Sequence, residues 1–157
     1  MELSQLAGQE YTQLQTIACS IRREVDIYVA IGKGRELSTA IGFNDIDRTR
    51  IEIVILELTR NILVHAGSGE LHLISIQDKE RRGLLVEARD TGPGIPDITL
   101  AMRDGYSTAQ TMGAGLPGVQ RLMDEFQIAS TVGVGTTVRA IKWFTRRTRP
   151  GPGGARL

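Results

Sequence analysis

The sequence predicts an α+β fold: a two-layer α/β sandwich in which a mixed, mainly antiparallel sheet carries its helices on one face. Three observations lead there. Hydrophobic periodicity switches between two and about 3.6 along the chain, giving the order β-α-α-β-β-α-β-β rather than a βαβα alternation. Consecutive strands are joined by short polar or glycine turns, which antiparallel neighbours require. With 157 residues the chain has room for one core and hardly two.

The first strand is predicted over Thr16–Arg22, where Ile17, Cys19 and Ile21 alternate with Ala18, Ser20 and Arg22. Asp26 is placed to cap a helix over about 27–41 with apolar residues Ile27, Ala30, Ile31, Leu37 and Ile41, and Gly42 to end it. Gly32 and Gly34 weaken that helix by about 1 kcal/mol each relative to alanine. Asn44 or Asp45 opens a stronger helix reaching to about Ala66, with Ile51, Val54, Ile55, Leu58 and Ile62 on one face. Two extended segments follow, Glu70–Gln77 and Leu84–Asp90, joined by the charged turn Asp78–Arg82. Periodicity then dissolves to Met112, with room for one short helix. Pro117 suits the first turn of a helix running to about Glu125. A last strand pair, Gln127–Val132 and Thr136–Trp143, turns over Gly133-Val134-Gly135. Three regions result: an extension over 1–15, one domain over 16–143, and an Arg-, Gly- and Pro-rich tail over 144–157 whose composition predicts disorder.

Composition narrows function. Hydrophobic residues at 41% and charged residues at 24% suit a soluble globular domain. Aromatics at 4% exclude a stacking platform for single-stranded nucleic acid and leave an aliphatic core. Five basic and no acidic residues fall within Lys142–Leu157, so residues 1–141 hold 14 basic against 18 acidic, a net of −4. An acidic body argues against a nucleic-acid-binding domain. No apolar run approaches the roughly 18 residues of a membrane span, and no secretory signal opens the chain. The single cysteine, Cys19, forms no internal disulfide and fits a reducing cytoplasm.

Three constellations carry chemistry. Glu57, Asn61 and His65 recur every four residues on the long helix, along a stripe beside its apolar face. A carboxylate and an amide one turn apart offer a proton acceptor and an oxygen ligand for a hard cation; the same pair also fits a plain polar helix edge, and His65 reads as structural rather than catalytic. Next, Asp90-Thr91-Gly92-Pro93-Gly94 ends a strand with an acceptor-only carboxylate, able to receive an exocyclic amine such as adenine's, before glycines that let a ligand approach the backbone. An ordinary strand exit fits these residues as well. Third, Gly113-Ala114-Gly115-Leu116-Pro117-Gly118 precedes a helix, where backbone N–H groups make an anion site. The dinucleotide reading of this G-x-G-x-x-G fails on context: no strand precedes it and no acidic residue lies about 20 positions on. The Walker motif and the kinase signatures HRD and DFG are absent.

Taken in order, Glu-x-x-x-Asn on a helix, Asp-x-Gly-x-Gly after a strand, a mobile segment, a second glycine box and Gly-x-Gly-Thr before a last strand resemble the GHKL (Bergerat-fold) ATPases, over roughly residues 16–143. The strings Glu57–Ile62, Asp90–Asp97, Asp104–Thr108, Gly113–Val119, Arg121–Phe126 and Ala140–Trp143 more closely resemble the RsbT-type switch serine/threonine kinases of bacterial stressosomes, in the anti-sigma regulatory factor family. The resemblance implies ATP and Mg²⁺. It implies Glu57 as the base on the attacking hydroxyl and Asn61 as the Mg²⁺ ligand. Asp90 would read the adenine amine with support from Thr136, and Gly92 and Gly94 would flank the adenine pocket. Gly113, Gly115 and Gly118 would wrap the phosphates, and residues 97–112 would form a lid. It further implies STAS-domain antagonist and scaffold partners, RsbS- or RsbR-like, with a downstream phosphatase or other output enzyme. Two alternatives stay open: an anti-sigma factor kinase that sequesters a sigma factor, and a non-enzymatic nucleotide-gated binding module.

Overall fold

A computed structural model describes residues 11–103 and 115–145. Five strands form one open sheet in the order β1-β2-β3-β5-β4, with β1 Thr12–Ile21, β2 Gly69–Gln77, β3 Arg82–Asp90, β4 Glu125–Thr131 and β5 Gly135–Phe144. All four pairings are antiparallel, so the expected parallel component of the sheet is not present among the described residues. The reason is topological: tight turns join β2 to β3 and β4 to β5, two helices return the chain from β1 to the end where β2 starts, and β3 and β4, which the helix layer joins, are separated by β5.

Helices α1 (Glu24–Ile41), α2 (Asp45–Asn61), α3 (Ile98–Ala101) and α4 (Gly115–Leu122) complete the order read from the sequence. The main core lies between them and one face of the sheet. Ile51, Val54, Ile55 and Leu58 of α2 meet Leu71, Leu73, Leu84 and Val86, with Val119 of α4 and Ala140 of β5. Gly34 brings α1 close to α2, because the space of a side chain there is filled by Ile55 Cδ1. That close approach accounts for the glycine at 34, whereas Gly32 has open space beside it.

Several boundaries move, each for a local reason. β1 begins at Thr12, four residues before the alternation of Ile17, Cys19 and Ile21, because Thr12–Gln15 lie exposed on an edge strand and carry no burial signal. α1 starts at Glu24, and Asp26 is not its N-cap. Asp26 instead sits in the first turn, accepting the N–H groups of Arg22 and Arg23 at 2.9 Å each, which holds its carboxyl below the usual range. α2 is capped by Asn44, whose Oδ1 accepts the Asp47 N–H at 2.8 Å. It ends at Asn61, where the chain widens into a π-helical turn, Ile62–Ala66. α4 stops at Leu122 rather than near Glu125. There Asp124 N donates to Ile141 O at 2.8 Å, and the Asp124 and Glu125 carboxylates accept from Trp143 N and Nε1 at 2.7 and 2.6 Å. Those bonds pull the chain into β4 two residues early.

Candidate functional site

One cleft of about 320 Å³ opens between α2, the end of β3 and the start of α4, within the range of small-molecule sites. Leu58, Ile62, Ala88, Leu116 and Val138 give it an apolar floor, and Asn61, His65, Asp90 and Thr136 bring polar groups to it. Pro93, Gly94, Ile95, Pro96, Ala101 and Gly115 complete the wall.

Asn61 reaches the cleft because it is the last residue of α2, and its side chain is not spent on capping the π-helical turn that follows. A π-turn adds a residue per turn and is common at functional sites. Here it breaks the strict four-residue stripe after Asn61, yet leaves His65 on the cleft wall and exposed. The expectation that His65 is structural is thus joined by a position at the cleft, beside Asn61.

Asp90 ends β3, paired in register with Thr136 of β5. Its Oδ1 accepts the Gly92 N–H at 2.9 Å, which fixes the carboxylate, while Oδ2 takes no hydrogen bond from any described residue. The loop after it is pinned from below. Ile95 N donates to Ser130 Oγ at 2.7 Å, Ser130 Oγ lies 2.8 Å from Thr136 Oγ1, and Gly133 N donates to Pro93 O at 2.9 Å. Ser130 therefore ties the loop to the threonine beside Asp90, a role that a lone serine within a strand does not announce in sequence.

The glycines act differently from the sequence expectation of ligand approach. At Gly94, with φ +81°, an added Cβ would meet the Thr131 carbonyl oxygen, and at Gly92 it would meet Ala66. Both spaces are filled by the protein itself, so these glycines let the loop close onto β4 and the π-turn. Gly135, with φ +147°, passes directly over the Asp90 carbonyl. Gly135→Ala is expected to destabilise the fold by more than about 1 kcal/mol, because both its φ and its space exclude a side chain. Urea unfolding with intact circular dichroism at the start of the titration measures it; an unchanged midpoint contradicts the close approach.

The cleft thus assembles Asn61, Asp90, Gly94, Gly115 and Thr136 of the predicted residues. Glu57 is fully buried one helical turn before Asn61 and is not on the cleft wall, and Gly92 and Gly118 also stand behind it. Gly113 and residues 104–112 of the expected lid lie outside the described residues, as do the extension 1–10 and the tail 146–157. Of the lid segment, residues 97–103 are described: Asp97 Oδ1 accepts the Leu100 N–H at 3.0 Å and caps the short α3, whose Ala101 borders the cleft.

Residues 46–146 match the family described as Histidine kinase-, DNA gyrase B-, and HSP90-like ATPase. The chain belongs to this ATPase family. Among curated relatives of the ATPase, the serine/threonine-protein kinase RsbT of Bacillus subtilis (strain 168) is 48% identical over 124 residues, covering 79% of this chain and 93% of that protein. The anti-sigma F factor of Caldanaerobacter subterraneus subsp. tengcongensis is 31% identical over 61% of this chain and 70% of its own length. The RsbU and RsbW domains of Rv1364c from Mycobacterium tuberculosis share the fold, with a TM-score of 0.60 at 15% identity over 87% of this chain and 35% of that one. Among the described residues of the ATPase, no helix is long and apolar enough to cross a membrane, and no cluster of three or more His, Cys, Asp or Glu side chains is placed to hold a metal.

Proposed function

We propose that this ATPase-family chain is a protein serine/threonine kinase that moves the γ-phosphate of ATP to a serine or threonine of a STAS-domain regulatory protein, and so switches partners in bacterial stress signalling. The observation that carries the reading is the convergence of the Asn61 amide and the Asp90 carboxylate on one mostly apolar cleft. The phosphate acceptor class rests on the likeness to RsbT across nearly all of that protein's length.

Each wall of the cleft has a task in that reaction. The apolar floor of Leu58, Ile62, Ala88 and Val138 buries a flat base, and Asp90 Oδ2 accepts its exocyclic amine, with Thr136 alongside. Gly115, which opens α4 at the cleft wall, is assigned to the phosphates together with the helix N-terminus, the task that the resemblance also gives to Gly113 and Gly118. Asn61 fits Mg²⁺ held jointly with phosphate oxygens, since this ion keeps several waters and needs few protein ligands. The bound ion would neutralise charge on the phosphates, as in other phosphoryl transfers. Glu57 is assigned as the base for the acceptor hydroxyl. Positioning and charge stabilisation then supply most of the catalysis. A downstream phosphatase or other output enzyme is released or captured as the STAS partner changes state. We place the chain in the cytoplasm, a reading supported by the free, buried thiol of Cys19.

Incubation with ATP, Mg²⁺ and a purified STAS-domain protein, followed by intact mass, tests the activity. One added phosphate on serine or threonine is expected; nucleotide binding without transfer to any STAS protein supports the binding-module reading instead. The likeness to anti-sigma F factors favours a second reading, sequestration of a sigma factor. That relative covers less of the chain than RsbT does. Capture of a sigma subunit by the ATP-bound protein separates the two.

Asp90→Asn is expected to weaken ATP binding about ten- to a hundredfold, because a charged hydrogen bond contributes roughly 1.5–3 kcal/mol. Selectivity for adenine over guanine nucleotides should fall with it, since an amide can present a donor where the carboxylate only accepts. Calorimetry with ATP and GTP reads both, and unchanged ATP affinity removes Asp90 from base recognition.

A further inference from the structure

Three residues on three adjacent strands stand in one row across the sheet. Ser130 of β4 is paired with Thr136 of β5, and Thr136 with Asp90 of β3. Residues directly opposite one another on neighbouring strands share a face. Asp90 and Thr136 line the cleft; Ser130, half-buried, stands behind Thr136 and does not.

Ser130 Oγ has three partners. It accepts the Ile95 N–H at 2.7 Å, lies 2.8 Å from Thr136 Oγ1, and lies 3.3 Å from the Gly135 carbonyl oxygen. A hydroxyl holds one proton and two lone pairs. An amide N–H only donates, so Ile95 occupies a lone pair and the one proton goes to Thr136 or to Gly135. Good O–H···O bonds span about 2.5–3.0 Å, which makes Thr136 Oγ1 the better acceptor. Were Thr136 the donor instead, the Ser130 proton would have the Gly135 carbonyl at 3.3 Å as its one acceptor among the described residues. With the Ser130 proton on Thr136 Oγ1, the Thr136 proton is left for the cleft, since no other described residue bonds to that oxygen.

We infer that Ser130 is a positioning residue for the nucleobase: by donating to Thr136 Oγ1 it turns the Thr136 proton toward the base. The inference rests on the adenine-nucleotide reading above. The cleft edge then presents an acceptor at Asp90 and, beside it in register, a donor at Thr136. Adenine carries the matching order, an exocyclic amine that donates and an adjoining ring nitrogen that accepts. Guanine carries the reverse, a carbonyl and an N–H. Asp90 alone disfavours the carbonyl; the Ser130–Thr136 pair adds a second discrimination, at the ring nitrogen. The bond to Ile95 joins this pair to the cleft wall formed by Pro93, Gly94, Ile95 and Pro96.

Calorimetry on the full chain with three triphosphates tests it. These are ATP, 1-deaza-ATP, in which the ring nitrogen is C–H, and purine riboside triphosphate, which keeps that nitrogen and lacks the amine. The unchanged protein should bind ATP about three- to tenfold more tightly than 1-deaza-ATP, the effect of one neutral hydrogen bond. In Ser130→Ala, with its fold confirmed by circular dichroism, that preference should vanish. The preference for ATP over purine riboside triphosphate should stay, because the Asp90 carboxylate is held by Gly92 N and not by Ser130. Ser130→Thr keeps the hydroxyl and should restore the first preference. Thr136→Val should lose it as Ser130→Ala does, and the double variant should lose no more. If Ser130→Ala does not fold, Ser130→Cys replaces it; a thiol donates weakly, and the first preference should shrink while the second holds. Three results overturn the inference and leave the ATP reading standing: equal affinity of the unchanged protein for ATP and 1-deaza-ATP, a Ser130→Ala protein that keeps the first preference, or one that loses both preferences together, which would make Ser130 a general support of the loop. If the unchanged protein binds none of the three triphosphates, the ATP reading fails and the inference falls with it.

Discussion

Asn61→Ala should abolish phosphate transfer to the STAS partner and leave the fold intact. Asn61 is half-exposed at the end of α2, and the apolar residues that hold that helix, Ile51, Val54, Ile55 and Leu58, do not include it. Its removal therefore costs little packing. The following π-helical turn does not depend on its side chain for a cap, so the turn should persist as well. What disappears is the one amide oxygen that α2 presents to the cleft. In the proposed assignment the phosphates would then lose the ion that Asn61 helps to hold, in a reaction whose barrier is lowered chiefly by charge stabilisation and positioning. The variant should show wild-type circular dichroism, no phosphate on the partner by intact mass, and ATP binding that no longer responds to Mg²⁺. Full transfer by a folded variant, still dependent on Mg²⁺, would remove Asn61 from metal binding.

The fold was legible where burial imposes a period. Ile51, Val54, Ile55 and Leu58 mark α2, and Leu71, Leu73, Leu84 and Val86 mark the two central strands, because each of these side chains must face the same core. Thr12–Gln15 gave no such signal, since an edge strand exposed on both sides is held by backbone bonds that any residue can make. The bulge at Leu14 is invisible for the same reason. At the site, Asn61 and Asp90 were legible by residue type at the end of a periodic segment, and the structure brings both to one cleft. Ser130 was not. Ser130 acts through bonds to Ile95 and Thr136, 35 and 6 residues away, and local pattern contains neither. His65 was legible by spacing, on the stripe with Asn61, but its residue type was read as structural, and the π-turn nevertheless sets it on the cleft wall. Gly92 and Gly94 were legible as glycines, but what fills the space beside them is set by Ala66 and Thr131, long-range neighbours that only the tertiary structure reveals.

Glu57→Gln should separate binding from chemistry. Glu57 stands one turn before Asn61 on α2 and is fully buried, so the amide replacement keeps its volume in a tightly packed place while removing its ability to take a proton. A general base contributes typically about 10²–10⁴-fold in rate, and its hydrogen bonds often align only when both substrates are present. The nucleotide's own contacts lie on Asn61, Asp90, Thr136 and the α4 turn in this assignment, so ATP affinity should be equal to or slightly above that of the unchanged protein. A negative charge near the γ-phosphate is lost, which favours the bound triphosphate. The variant should dock its STAS partner normally and transfer phosphate at least about 10²-fold more slowly. A readout beyond rate separates a base from a packing residue: kcat should fall while the KM values for ATP and for the STAS partner stay unchanged. Transfer at the unchanged rate would make Glu57 a buried polar residue of α2 and nothing more. If ATP and partner binding both fail in a folded Glu57→Gln protein, the carboxylate holds the site together, and the base must be sought among other side chains at the cleft, beginning with the exposed imidazole of His65.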